Sequence, residues 1–136
     1  MPCGQVMEEE ARAIYTPQVM DHFMNPRNSG EIACPDGVGV AGGGRCGDVT
    51  KIYIKVESGV IADVRFKTFG CAAAIAASSV TTELVRGRTV AEARAVTADV
   101  ISDALGGLPE SKRRCAALAE EALCEALSGC GEHQDG

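Results

Sequence analysis

The chain has 136 residues, 46% of them hydrophobic and 24% charged, with a formal net charge of -6, the profile of one soluble globular domain that buries an aliphatic core without staples. It has no Trp, two Tyr and three Phe, so bases find no stacking platform, phosphates find no basic footprint, and nucleic acid is not an expected partner. No apolar stretch is long enough to span a bilayer, and residues 1–10 lack the basic start and apolar run of a secretory signal, so the expectation is a cytoplasmic protein with no membrane partner.

A single domain is expected over residues 1–136. Residues 1–14 are acidic without an apolar stripe and read as a mobile start. Thr16 can cap a short helix with Pro17 at its first position, Val19, Met20 and Phe23 cluster on one side, and residues 25–30 stop it. His22 on this helix reads as a histidine that holds the helix, not as a ligand. Six glycines follow residue 36 before Asp48, which predicts an extended, flexible approach to Cys46. Ile52, Ile54 and Val56 then alternate with Lys51, Tyr53 and Lys55, and Ala62, Val64 and Phe66 with Asp63, Arg65 and Lys67. Joined through Glu57, Ser58 and Gly59, these runs predict an antiparallel hairpin. Cys71 opens an Ala-rich helix to about Arg86 with Gly87 as terminator. Thr89 and Glu92 form a capping-box pattern, and residues 97–105 a further helix ended by Gly106 and Gly107. Pro109 starts the last helix, whose stripe of Cys115, Leu118, Ala119, Ala122, Leu123, Ala126 and Leu127 faces the core, with Cys115 about two turns in. The tail over 129–136 is expected to be disordered.

The chemistry lies in the cysteines. Seven in a reducing compartment are ligands, nucleophiles or buried small hydrophobes before they are disulfide partners. Three stand where a thiolate is favoured: Cys71 at a helix start, Cys115 after Lys112, Arg113 and Arg114, and Cys46 after Arg45. If the segment after Cys46 is extended, Asp48 points to the same side as Cys46. Together these supply sulfur, oxygen, sulfur and sulfur, a donor set for zinc, copper(I) or an iron-sulfur cluster. Each cysteine alone is as commonly a core residue, and with no Cys-x-x-Cys pair the spacing is weak metal evidence.

The flanks decide more. The runs YTPQVMDHFMNPRNSG (15–30), CGD (46–48), FKTFGCAAAIAASS (66–79) and KRRCAALAE (112–120) resemble, in order, the motifs of the iron-sulfur cluster assembly scaffold family, the IscU and NifU N-terminal type. The resemblance implies an α+β fold, a small antiparallel sheet of about three strands packed against several helices, with the third strand drawn from residues 37–44. It implies a scaffold and carrier, not an enzyme in the turnover sense. On it a transient 2Fe-2S cluster is built from iron and from persulfide sulfur supplied by a pyridoxal-phosphate cysteine desulfurase, with an electron-donor ferredoxin, and is then passed to apo iron-sulfur acceptor proteins. It assigns Cys46, Asp48, Cys71 and Cys115 as ligands, Cys115 as the persulfide acceptor and Lys112 as a partner of one ligand before the metal arrives. Zinc is a candidate occupant of the same ligands. Tyr15 and residues 25–28 are implied to lie near the desulfurase contact.

Two departures stand out. Arg114 occupies the place of a family histidine, and a guanidinium has no lone pair for a metal. Residues 108–112 read LPESK where members served by an Hsp70-type chaperone read LPPVK, which leaves such a chaperone a doubtful partner. The alternatives in other classes are a zinc-dependent sulfurtransferase partner of a desulfurase and a structural zinc module. Structural zinc sites favour closed sets of Cys and His, against a carboxylate on a glycine-rich loop. Cys3, Cys34, Cys124 and Cys130 fall outside the matched positions. Cys130 and His133 form a possible adventitious pair in the tail, and Cys124 points away from Cys115 on the last helix.

Overall fold

The computed structural model describes residues 15–43 and 47–134, the last four of these in backbone only. The start over 1–14 and Cys46 lie outside the described residues. Helix α1 (Pro17–Met24) begins where expected, with the Thr16 hydroxyl oxygen accepting the Val19 N–H and Pro17 in the first turn. Strands β1 (Gly37–Gly42), β2 (Val49–Glu57) and β3 (Val60–Phe69) form one antiparallel sheet in the order β1-β2-β3. Then come α2 (Ala72–Val85), α3 (Val90–Ala93), α4 (Ala98–Ala104), a 3-10 turn at Glu110–Lys112 and α5 (Arg113–Gln134). This is the α+β class that the sequence implied.

The third strand comes from within residues 37–44, as the resemblance implied, where composition alone suggested a flexible approach. The first six of these residues, Gly-Val-Gly-Val-Ala-Gly, are strand β1, buried on alternate residues. Gly37 and Gly39 lie under α5. A β-carbon on Gly37 would sit 2.0 Å from the Ala126 carbonyl oxygen, and one on Gly39 1.8 Å from that of Ala122. The helix therefore rests on bare strand backbone, and Val38 and Val40 turn to the opposite, exposed face.

The hairpin forms as predicted. Ser58 (φ 54°) and Gly59 (φ 79°) give the paired left-handed conformations of a two-residue turn matched to strand twist. One detail differs. Lys55 pairs with Asp63 but Val56 with Ile61, leaving Ala62 as an extra, unpaired residue. The bulge re-aims β3, so Ile61 is fully buried in place of Ala62, and Val56 is only half-buried. Ile52, Ile54, Ile61, Val64 and Phe66 form the sheet side of the core against α2 and α5. Residues after α1 close the β3 edge: Asn28 O accepts the Phe66 N–H, and Phe66 O accepts the Gly30 N–H.

Packing also changes both ends of the last helix. Because residues 110–112 are a 3-10 turn, Cys115 is the third residue of α5, in its first turn and not two turns in. At the other end the helix continues to Gln134 through the region expected to be disordered. A β-carbon on Gly129 would lie 3.5 Å from the Asp36 carbonyl oxygen, and one on Gly37 would fall 2.8 Å from the Cys130 sulfur, so close packing on the start of β1 overrides the helix-breaking tendency of the glycines.

On α1 the buried residues are Val19, Met20 and His22, with Phe23 half-buried. His22 Nδ1 lies 2.8 Å from Ser79 Oγ and Nε2 3.3 Å from Glu83 Oε1. Ser79 Oγ also accepts the Arg27 N–H at 2.9 Å. The arrangement assigns the neutral tautomer in which Ser79 donates to Nδ1 and Nε2–H points at Glu83.

Two outcomes are expected from these contacts. Gly39→Ala should lose about 3 kcal/mol by urea denaturation, because the obstacle is helix backbone, whereas exposed Val38→Ala should stay within about 0.5 kcal/mol of the parent. Burial, helped by Arg27 and opposed by Glu83, holds the His22 pKa below its usual 6.5. Between that lowered value and 6.5 the unfolded chain binds more protons, so stability is fully present above the upper limit and is lost as pH falls through the lower. The urea midpoint should drop from pH 7.5 to pH 5.5 in the parent and drop less in His22→Gln; equal drops would refute the assignment.

Candidate metal centre

Three junctions converge at one end of the sheet. Asp48 stands immediately before β2, where its carbonyl oxygen accepts the Gly43 N–H at 2.9 Å and closes the β1–β2 connection. Cys71 is the N-cap of α2, one residue beyond the Gly70 that follows β3. Cys115 hangs from the first turn of α5. The two thiols, 44 residues apart in sequence, meet at 3.6 Å between sulfurs. The donor atoms of Asp48, Cys71 and Cys115 all lie within 4.8 Å of one another. Cys115 is buried, and Cys71 and Asp48 are half-buried, so the group has a closed floor and an accessible rim.

The two thiols share a proton. The Cys115 S–H donates to Cys71, which lowers the Cys71 pKa, and the Ala74 amide and the Lys112 charge lower it further against the cost of burial. The same bond raises Cys115, as do its burial and the negative charge on Cys71. The pair thus favours negative charge at the half-exposed rim over negative charge at the buried floor. Lys112 responds most to Cys71, whose negative charge holds the ammonium above its usual range. Tyr15 belongs to the same field: burial and then Cys71 raise its phenol. Nothing in the spacing of the sequence placed Tyr15 beside the thiols.

Two soft sulfurs and a carboxylate oxygen suit a tetrahedral or cluster-bound metal. With metal–sulfur bonds of about 2.3 Å, two sulfurs on one tetrahedral ion lie about 3.8 Å apart, close to the separation observed. Arg114 is exposed on α5 beside Cys115 and adds charge without a donor lone pair. The remaining described cysteines stay apart: Cys34 and Cys124 are exposed, and Cys130 is buried against Gly37. Among the described residues no helix is long and apolar enough to cross a membrane.

Residues 14–134 match the family described as the NifU-like N terminal domain. The chain belongs to this family. Its relatives include the iron-sulfur cluster assembly scaffold protein IscU 1 of Archaeoglobus fulgidus, 52% identical over 114 residues, 84% of this chain and 74% of that protein. The IscU scaffold of Aquifex aeolicus is 48% identical over 115 residues, covering 83% of this chain and 73% of its own. Among solved structures, FiSufU of Fervidobacterium islandicum aligns with a TM-score of 0.68 at 25% identity, covering 86% of this chain and 98% of the other. A NifU-like N-terminal protein from Brucella abortus aligns with a TM-score of 0.57 at 26% identity over 86% and 83%.

In this NifU-like domain the unequal thiols predict unequal reactivity, since alkylation proceeds through the thiolate. Iodoacetamide at pH 7 should modify Cys71 of the metal-free protein at least about tenfold faster than Cys115, read by peptide mass mapping. Cys71→Ala should speed Cys115, because the bond and charge that hold its proton are gone. Equal rates in the parent would contradict the shared proton.

Proposed function

We propose that this chain is a scaffold for iron-sulfur cluster assembly, not an enzyme, and that it builds a transient 2Fe-2S cluster and passes it on. The observation that carries the reading is the convergence of Asp48, Cys71 and Cys115 within 4.8 Å, in a chain whose relatives are named as iron-sulfur cluster assembly scaffolds. The cluster is the cargo. Cys46, two residues before Asp48, completes the set as fourth donor, so three thiolates and one carboxylate hold two irons. Carboxylate oxygen is a harder donor than thiolate, and a rim position suits a ligand that must let the cluster go.

Sulfur arrives as a persulfide from a cysteine desulfurase, with Cys115 as acceptor once its proton has passed to the Cys71 thiolate 3.6 Å away. Persulfide sulfur is two electrons above sulfide, so each release follows RSS⁻ + 2e⁻ → RS⁻ + S²⁻, and an electron-donor ferredoxin supplies those electrons. Lys112 offsets the thiolate charge before iron enters. Zinc fits the same donors and competes with iron for them. The receiving partners are apo iron-sulfur proteins.

The decisive experiment supplies the purified chain, without oxygen, with ferrous iron, cysteine, a desulfurase and reduced ferredoxin. The expected result is a visible chromophore with equal iron and sulfide that moves to an apo-ferredoxin. Cys46→Ser, Cys71→Ser and Cys115→Ser should each lose most of the chromophore, and Cys34→Ser should keep it. Retained zinc with a persulfide mass shift and no chromophore would replace the scaffold by a zinc-dependent sulfurtransferase. Neither product would leave a structural zinc module.

A further inference from the structure

We infer that Gly70 is a positioning residue for this site: the absence of its side chain is what lets the Asp48 carboxylate reach the thiols of Cys71 and Cys115. A β-carbon built on Gly70 would lie 2.7 Å from Asp48 Oδ1, 2.9 Å from Asp48 Cγ and 3.2 Å from the Ala74 β-carbon. The first two distances are too short for non-bonded atoms, so a side chain at 70 and the carboxylate in its present place exclude each other. The inference rests on the proposed role of Asp48 as a donor.

The nature of the obstacle separates Gly70 from the other tight glycines. At Gly37, Gly39 and Gly42 the added carbon meets carbonyl oxygens of Ala126, Ala122 and Asp48, atoms that move only with a helix or a strand. At Gly70 it meets the free end of a short side chain. Gly70 is also absent from the residues with positive φ, so its backbone conformation is open to alanine. A methyl group there asks the Ala74 β-carbon to give by a few tenths of an ångström and displaces the carboxylate outright.

Asp48 has one way to yield. Its carbonyl oxygen is held by the Gly43 N–H at 2.9 Å and lies against Gly42, where a β-carbon would come within 2.1 Å of it. The backbone is therefore pinned from the β1 side, and pressure from position 70 turns the side chain about χ1. That rotation carries the carboxylate away from the 4.8 Å group it forms with the two sulfurs. Gly42 and Gly43 fix where Asp48 stands, and Gly70 leaves room for where it points.

The test uses Zn²⁺ alone as the probe, titrated against a chromophoric chelator, on the full chain and on Gly70→Ala, Asp48→Ala and the double variant, with metal-free melting temperatures alongside. Gly70→Ala should weaken zinc about 10- to 100-fold, the range for residues that orient a metal ligand. It should add less than about twofold in the Asp48→Ala background, since a residue acting only through Asp48 has nothing left to act on. If Gly70→Ala lowers the melting temperature, removal of the carboxylate in the double variant should restore it. The inference is overturned by unchanged zinc affinity in Gly70→Ala when Asp48→Ala is weakened, by the same loss in both backgrounds, or by a melting temperature the double variant does not recover. Parent-like affinity in Asp48→Ala would strike out Asp48 as a donor and, with it, both the proposed ligand set and this inference.

Discussion

The approach of α5 to the backbone of β1 governs the rest of the structure. With side chains at positions 37 and 39 the helix would have to stand off, because both β-carbons would fall inside its carbonyl oxygens. With glycine there, the helix lies flat on the strand, its Ala and Leu stripe buries against the sheet, and its first turn is held at the height where Cys115 meets Cys71. The same contact keeps Cys130 and Gly129 packed over Asp36 and Gly37. A thiol placed from one end of a helix is thus secured by glycines under its middle.

Much of this was legible, and what was not has identifiable causes. Thr16 and Pro17, the Thr89 and Glu92 box, and the alternating β2–β3 runs are local signals, and each forms the element it announces. The glycines of β1 are different: composition reads them as freedom, yet two of them are required by a helix 80 or more residues away, and no local pattern carries that. The Ala62 bulge has no Gly or Pro to mark it, so strict alternation misplaced the inward residue by one position. The end of α5 shows tertiary contact overriding propensity. At the site, single cysteines were ambiguous, and the ordered flanks of Asp48, Cys71 and Cys115 made them legible as a group. Tyr15 was found to share the field of the thiols only in three dimensions.

The centre is graded from floor to rim. Cys115 is buried, while Cys71 and Asp48 are half-exposed, and the Cys71 pKa is lowered where that of Cys115 is raised. Lys112 answers the charge on Cys71 from the edge. A closed site of uniform thiolates would hold a metal for the life of the fold. A graded one leaves a carboxylate and a thiol open on the same side, an arrangement that suits the proposed binding and release of a cargo.

The 3.6 Å meeting of Cys71 and Cys115 spans 44 residues of chain, and any cargo bound to both sulfurs ties that span into a ring. Treated as a cross-link, closure of such a loop removes unfolded-state entropy worth about 4 kcal/mol. Unlike a disulfide, this tie departs with the cargo. Delivery gives that entropy back to the unfolded chain, so the empty protein should unfold more readily than the loaded one by up to about the same amount.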